Sequence, residues 1–159
     1  MFNSGLLRFA RNDGKKILIN FFCLILFFID RFLKYFFIHS NFSFNSQWLN
    51  LEIFKNSGIA FGFQLNLFIM YFLISLILLG LFFFLIKSYI KKNAIIILAL
   101  TLIIFGAFSN LIDRFFYNNI IDFVDFLFFP VFNLADIMIV SGIGIIIIQN
   151  IKHKNLHFN

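Results

Sequence analysis

AIIILALTLIIFGAFSNLI, residues 94–112, contains no charged residue, and it is bounded by Lys91 and Lys92 on one side and Asp113 on the other. About 20 apolar residues are enough for a helix to cross the hydrocarbon core of a bilayer. Three other segments are nearly as apolar, at about residues 17–38, 67–86 and 132–151. We therefore predict an all-α membrane protein, a four-transmembrane-helix bundle in a single domain, residues 1–159.

The composition agrees with a membrane protein. Of the 159 residues, 62% are hydrophobic and 13% are charged, which is more apolar surface than a soluble domain of this size can bury. The single cysteine, Cys23, excludes an internal disulfide. The three histidines are scattered without metal-ligand spacing. We expect neither a metal nor a cofactor.

The basic residues predict the orientation of the bundle. Nine of the 13 Lys and Arg lie at one end of the predicted helices: Arg8, Arg11, Lys15, Lys16, Lys87, Lys91, Lys92, Lys152 and Lys154. Basic flanks stay on the cytoplasmic side of a membrane, so both termini are predicted to face the cytoplasm. The net charge of +6 is then an orientation signal, and we expect no nucleic-acid partner.

Two loops are predicted on the outer side, at residues 39–66 and 115–131. In the longer loop, residues 48–53 partly alternate between apolar and polar, and Asn56-Ser57-Gly58 predicts a turn. We expect this loop to form a small β-structured flap lying on the outer face of the membrane. The second loop is expected to be short and aromatic.

Three predicted helices carry an acid at a similar depth. Asp30 lies 14 residues from Lys16, Asp113 lies 20 residues from Asn93, and Asp136 lies 16 residues from Lys152. At 1.5 Å per residue, all three are roughly 20–30 Å above the inner surface. Ionised side chains inside a bilayer are costly and usually mark a pathway or a site.

Local ion pairing is another explanation for some of these acids. Asp30 and Lys34 lie at i and i+4 on one helix, a spacing that allows a neutralising pair. A structural role and a substrate contact are both open for them. Asp113 precedes Arg114, so we expect a self-neutralising pair, with Arg31 and Arg114 reaching the surface.

Asp122 and Asp136 have no cation beside them in the sequence. Asp122 follows Ile120 and Ile121, and Asp136 lies three residues after Asn133, on the same helix face. If two buried acids meet, both cannot ionise easily, and a carboxylate lies next to a carboxylic acid. Aspartic proteases use that pair to activate water and polarise the scissile carbonyl. Spacing does not show that the two acids meet. Asp125 is expected to face solvent.

Five polar motifs follow one another along the chain: Asp30-Arg31-Phe32-Leu33-Lys34, Asn56-Ser57-Gly58-Ile59-Ala60-Phe61-Gly62, Gly106-Ala107-Phe108-Ser109-Asn110-Leu111-Ile112-Asp113-Arg114, Ile120-Ile121-Asp122-Phe123 and Phe132-Asn133-Leu134-Ala135-Asp136. In this order they resemble the motifs of the lipoprotein signal peptidases (signal peptidase II), which are bacterial inner-membrane aspartic proteases. The resemblance covers nearly the whole chain. Ser109 stands where the family pattern has Gly, and the interval from Asp122 to Asp136 is shorter than usual.

The resemblance implies that Asp122 and Asp136 are a catalytic pair. It implies substrate-binding or supporting roles for eight further residues: Asp30, Lys34, Asn56, Gly106, Asn110, Asp113, Arg114 and Asn133. It also implies an endopeptidase that cleaves lipid-modified prolipoproteins on the N-terminal side of the diacylglyceryl cysteine. The site would lie among membrane lipids near the periplasmic face. A monomer suffices for this chemistry.

The alternative is a small proton- or cation-relay membrane subunit, in which buried carboxylates carry protons. Two observations disfavour a relay subunit: the membrane acids are confined to one layer, and the sequence has no repeated halves. A third hypothesis is an assembly subunit held by interhelical ion pairs. It predicts a base near every acid, and Asp122 and Asp136 have none nearby in the sequence.

Overall fold

The computed structural model describes residues 4–57 and 66–156, with helices and strands in the following order: α1 (Ser4–His39), β1 (Phe44–Asn45), β2 (Leu49–Asn56), α2 (Leu67–Ile90), α3 (Ala94–Tyr117), β3 (Ile120–Phe126) and α4 (Leu134–Leu156). The predicted helical, membrane-type architecture is confirmed. Most helices run beyond their predicted ends, because an apolar segment marks only the part of a helix suited to hydrocarbon. The main exception is the start of the fourth, predicted at residue 132 and observed at Leu134.

Three described helices are long and apolar enough to cross a membrane, at Phe68–Ile90, Ala94–Tyr117 and Leu134–Lys152. α1 has 36 residues, but Asp30, Arg31 and Lys34 interrupt its apolar stretch. Many large apolar side chains point outward from the bundle, as expected when lipid is the solvent. Phe68, for example, is 80% exposed.

α3 is the central helix, and α1, α2 and α4 all pack against it. In an apolar 18-residue stretch of α3, 56% of the residues are buried, against 6% in the corresponding stretch of α2 and 17% in that of α4. The buried residues of α3 include polar ones near its C-terminal end: Ser109, Asn110, Asp113 and Arg114. The part of the chain most enclosed by protein therefore carries the polar groups that lipid would tolerate least.

Two glycines allow α3 and α4 to approach closely. A Cβ on Gly106 would lie 2.5 Å from the carbonyl oxygen of Ala135, and a Cβ on Gly142 would lie 2.5 Å from that of Ala99. Small residues at membrane helix interfaces permit this backbone proximity. Gly106 lies one helical turn before Asn110, and Ala135, which it contacts, directly precedes Asp136. This contact therefore helps to bring the side chains of Asn110 and Asp136 together.

We expect Gly142→Ala to lower the thermal midpoint of the protein in detergent by several degrees. The added methyl group has no space against Ala99 and Ile103, and overpacking costs about 1–3 kcal/mol. Gly144→Ala is the matched control on the same helix, because a Cβ there meets nothing within 4 Å. It should be neutral or slightly stabilising. Equal midpoints for the two variants would contradict this account of the α3–α4 contact.

The three strands form an antiparallel sheet in the order β1-β2-β3. The strand predicted at residues 48–53 is confirmed as β2. Asn56, predicted to begin a turn, is instead the last residue of β2, and Gly58 lies outside the described residues. β3 was missed, because residues 115–131 were predicted to be a loop. It pairs with β2, with Phe54 opposite Asp122 and Asn56 opposite Ile120.

Candidate active site

Asp122 is buried on β3, with its side chain held by two amides. Its residue is 1% exposed. The Nδ2 of Asn56 donates a hydrogen bond to Oδ2 of Asp122 over 3.0 Å, and the Nδ2 of Asn133 donates to Oδ1 over 2.7 Å. Asn56 comes from β2, so the strand pairing described above places its amide next to the carboxylate. Both carboxylate oxygens therefore have a donor.

Asp136 lies in the first turn of α4, where Asn133 precedes the helix. The backbone N–H of Asp136 donates to Oδ1 of Asn133 over 2.9 Å, and the backbone N–H of Asn133 donates to Oδ2 of Asp136 over 3.2 Å. These reciprocal bonds have the geometry of a capping box, which fixes the first turn of a helix. The Nδ2 of Asn110 on α3 donates to the remaining oxygen, Oδ1, over 2.8 Å.

Asn133 connects the two acids, and a local chain reversal makes this possible. Its side chain donates to Asp122 and accepts from the backbone of Asp136. The chain turns back after β3, so that Phe132 pairs with Val124 through backbone hydrogen bonds of 2.9 and 3.0 Å. This pairing puts Asn133 next to Asp122. The reversal of the chain after β3 therefore brings Asp122 and Asp136 close together despite the short segment between them.

Burial raises the pKa of Asp122 to about 6. The hydrogen bonds from Asn56 and Asn133 and the charge of Lys34 act in the opposite direction, while the charge of Asp136 raises the pKa further. A carboxylic acid with a pKa close to neutrality can exchange a proton during a reaction at physiological pH. The environment of Asp122 therefore suits acid–base chemistry.

A buried ionic cluster lies behind the two acids. Lys34 on α1 places its Nζ 3.1 Å from Oδ2 of Asp30 and 2.7 Å from Oδ2 of Asp113, and it donates to Oδ1 of Asn110 over 2.9 Å. Lys34, Asp30 and Asp113 are all 0% exposed. The i, i+4 pair of Asp30 and Lys34 forms as the spacing allowed. Through Asn110, the cluster is connected to Asp136.

Asp113 was predicted to form a self-neutralising pair with Arg114, and this prediction is wrong for its main ion pairs. Asp113 pairs with Lys34 and with Nη1 of Arg31, the latter at 2.5 Å. Adjacent residues on a helix point in different directions, so Asp113 faces α1. The expectation that Arg114 reaches the surface is also wrong, because Arg114 is 7% exposed. For Arg31 the expectation is partly correct: its side chain is 22% exposed, while its Nη1 bonds to Ser109 and Asp113.

Asp30 connects α1 to the start of α4. Its Oδ1 accepts the backbone N–H of Ala135 over 2.9 Å, and its Oδ2 accepts the hydroxyl of Ser109 over 2.5 Å. The first N–H groups of a helix have no partner within the helix, and a carboxylate there is favourable. Ser109, a departure in the sequence motif, is thus a member of this hydrogen-bonded group.

Gly106, Asn110 and Arg114 follow one another at intervals of four residues and share one face of α3. Gly106 lies against α4, and Asn110 contacts Lys34, Asn133 and Asp136. Arg114 is close enough to Asp136 and Asp122 to interact with their charges, and its carbonyl oxygen accepts the hydroxyl of Tyr71 from α2 over 2.9 Å.

Asp125 is separate from the pair. It follows Asp122 by three residues on the same strand, and an odd spacing on a strand points side chains to opposite faces. Oδ2 of Asp125 accepts a hydrogen bond from Asn50 on β2 over 3.0 Å, and the residue is half-buried. The expectation that it faces solvent is therefore only partly correct.

A cavity of about 520 Å³ opens next to Asp136. Its lining is mainly apolar: Asn56, Ile120, Phe129, Pro130, Val131, Phe132, Asp136, Ile137, Val140 and Ser141. Val140 is 68% exposed, so the cavity continues onto the outward face of α4, which would contact lipid. The site could bind an extended apolar ligand against a carboxylate. In the described ranges, no group of three or more His, Cys, Asp or Glu could hold a metal ion.

Sequence reasoning missed two contributors to this site. β3, which carries Asp122, begins with Ile120 and Ile121, and these β-branched residues were a signal that could have indicated a buried strand. Ser109 gave no local signal, because its partners Asp30 and Arg31 are on another helix. Residues 58–62 of the second motif lie outside the described part of the chain.

The chain is similar to known peptidases in sequence. A sequence model of the family described as signal peptidase (SPase) II matches residues 22–152. The lipoprotein signal peptidase of Shouchella clausii (strain KSM-K16) is 34% identical over 104 residues, which are 65% of this chain and 69% of that protein. The lipoprotein signal peptidase of Maridesulfovibrio salexigens is 37% identical over 119 residues, 67% of this chain and 74% of that protein.

The fold is also similar to solved structures. One, described as a bacterial membrane enzyme structure by the in meso method at 2.3 Å resolution, gives a TM-score of 0.73 at 29% identity, covering 89% of this chain and 90% of that chain. A second, with the same description at 1.9 Å resolution, gives a TM-score of 0.72 at 28% identity, covering 87% of this chain and 94% of that chain.

Proposed function

Because the chain belongs to the signal peptidase II family, and is therefore an aspartic peptidase that removes signal peptides from prolipoproteins, we propose that Asp122 and Asp136 are its catalytic pair. One observation carries this proposal: a single side chain, that of Asn133, is hydrogen-bonded to both residues. The two acids come from different elements, and the contacts of Asn133 fix them with respect to each other.

In the proposed reaction, Asp122 is the general base. Its carboxylate takes a proton from a water molecule as the oxygen of that water bonds to the carbonyl carbon. Asp136, which lines the cavity, holds a proton and donates a hydrogen bond to the carbonyl oxygen. The C–N bond then breaks, and the leaving nitrogen receives a proton from the pair. The two amides on Asp122 favour the ionised form that a base requires.

The remaining residues of the predicted site are proposed to hold this pair. Asn110 and Asn133 orient Asp136, and Asn56 orients Asp122. The cluster of Asp30, Lys34 and Asp113 supports Asn110 and the first turn of α4. Gly106 permits the close contact of α3 with α4, and Arg114 adds a positive charge near both acids.

We further propose that α1 is a fourth membrane span. Its 36 residues extend about 54 Å, and the charges in its outer half are neutralised by contacts with α3. With nine cations at one end of the bundle, both termini would face the cytoplasm. The pair would then lie near the periplasmic face of a bacterial inner membrane. One chain supplies every group of the proposed mechanism, which favours a monomer.

The substrate is proposed to be cleaved on the N-terminal side of a diacylglyceryl cysteine. The largely apolar cavity beside Asp136 extends onto the lipid-facing surface of α4, where a lipid-anchored peptide could enter. We expect the purified protein in detergent to cleave a lipidated precursor at least about 100-fold faster than the same precursor without its lipid. Equal rates for the two substrates would contradict the proposed role of the lipid.

The pH dependence of cleavage tests the role of Asp122. Because its pKa is about 6, we expect kcat/KM to fall as the pH drops through about 6 and the base becomes protonated. Asn56→Leu removes a hydrogen bond that favours the ionised form, so the acid limb should move upward by roughly one pH unit. A profile that is flat from pH 5 to 7, or a limb that Asn56→Leu leaves in place, would exclude Asp122 as the base.

A further inference from the structure

A second cavity lies at the opposite end of the bundle from the two acids. It has a volume of about 490 Å³ and lies in a cleft between α1 and α2, with α3 as its floor. Among the described residues, the backbones of α1 and α2 each lie close to that of α3 but not to each other. Ile17, Phe21 and Leu24 of α1 and Phe82 and Leu85 of α2 form its apolar walls.

The mouth of this cleft is polar and basic. The hydroxyl of Tyr89 donates to Oδ1 of Asn20 over 2.8 Å and so joins α2 to α1 across the cleft. The Nζ of Lys16 lies 5.8 Å from the centre of the Tyr89 ring. Three further lysines, Lys15, Lys91 and Lys92, are exposed at the same end of the bundle. The acid nearest to Lys16 in the sequence is Asp13.

We propose that this cleft binds one anionic phospholipid, with its phosphate at Lys16 and Tyr89 and an acyl chain along the apolar walls. The walls run about 10 Å along the helices, from Ile17 to Leu24. The walls therefore extend through most of the hydrocarbon of one leaflet, which is about 15 Å thick. Clusters of basic residues at one end of a cleft between membrane helices suit anionic head groups. This inference does not depend on the catalytic pair.

The shape of the cleft favours a lipid over a helix from another protein. A helix with side chains is about 10 Å wide, and its insertion would have to separate α1 from α2. The hydrogen bond between Tyr89 and Asn20 already joins the two helices at the mouth. An acyl chain is thin enough to enter from the bilayer while this bond is kept.

The test uses the full chain in neutral detergent, with binding of dioleoylphosphatidylglycerol measured by native mass spectrometry and by the rise in thermal midpoint. We expect this lipid to bind more tightly than dioleoylphosphatidylcholine. Lys16→Gln should weaken its binding about five-fold, the effect of one lysine near an anionic surface. Lys152→Gln is the matched control, because Lys152 is exposed at the same end but on α4, and it should change binding less than two-fold.

Two further measurements test the apolar walls. Leu24→Trp should fill the cleft and reduce binding at least ten-fold, and Leu24→Ala, which removes bulk, should reduce it without crowding the helices. Glycerol 1-phosphate, which has the charge without the chains, should not raise the midpoint. The proposal is overturned if Lys152→Gln weakens binding as much as Lys16→Gln. It is also overturned if both Leu24 variants bind normally, or if glycerol 1-phosphate stabilises the protein as well as the lipid does.

Discussion

Lys34→Met is expected to lower the free energy of unfolding by about 3–5 kcal/mol, which is the usual cost of breaking a buried ion pair by removing one partner. Lys34 is 0% exposed and lies within 3.1 Å of Asp30 and 2.7 Å of Asp113. Its loss would leave two buried carboxylates with Arg31 as the remaining cation of the cluster. It would also remove the donor to Asn110, so cleavage should fall with stability.

The measurement is the thermal or denaturant unfolding of the purified protein in detergent. Lys152→Met is the control, because Lys152 is an exposed lysine on α4; its effect should stay within about 0.5 kcal/mol. Removing the opposite charge as well, in the double variant Lys34→Met/Asp113→Asn, should recover part of the lost stability, since neighbouring sites are not additive. A destabilisation equal to the sum of the two single effects would contradict the proposed pairing.

The helices of this protein could be predicted because lipid imposes a simple rule on sequence. A charge-free segment such as residues 94–112 has few alternatives to a spanning helix. Counting residues from the basic flanks also placed Asp30, Asp113 and Asp136 at similar depths. The structure brings these three into one hydrogen-bonded region through Lys34, Asn110 and the N-terminus of α4.

The pairing within that region could not be predicted, because it depends on which helix faces each charge. Asp113 has Arg114 beside it in sequence, yet it forms ion pairs with Arg31 and Lys34, which are more than 70 residues away. β3 was missed for a related reason. Its aromatic neighbours resemble a membrane-surface loop, and only pairing with β2 makes it a strand. Interactions that are distant in sequence leave little local signal.

The relay alternative does not fit the family to which the chain belongs, and the acids are arranged differently from a pathway. Asp30 and Asp113 are engaged by cations. Asp122 and Asp136 are engaged by amides of Asn56, Asn110 and Asn133. Asp136 also lines a cavity at one end of the bundle. This division distinguishes the ionic cluster from the proposed catalytic pair.

Replacing either member of that pair is expected to have the largest effect on activity. Asp122→Asn removes the proposed base, and Asp136→Asn removes the proposed proton donor. Each should lower kcat at least about 1000-fold, within the range for loss of acid–base catalysis. Because the two act as a unit, the double variant should be little slower than either single variant. An Asn side chain has nearly the same shape as Asp, so the fold should persist.

Asp125→Asn is the matched control for both substitutions. It changes the same residue type on the same strand as Asp122, but the side chain of Asp125 bonds to Asn50 and lies on the other face of the sheet. We expect its kcat to stay within about three-fold of the unsubstituted protein. Thermal midpoints of all variants should be compared, so that loss of folding is distinguished from loss of chemistry.

The decisive measurement is the single-turnover rate of cleavage of a lipidated prolipoprotein by the purified Asp122→Asn and Asp136→Asn variants. The proposed mechanism predicts that both folded variants lose at least about 1000-fold in rate, while Asp125→Asn cleaves normally. If either variant of the pair remains folded and cleaves within ten-fold of the unsubstituted protein, Asp122 and Asp136 are not the catalytic pair.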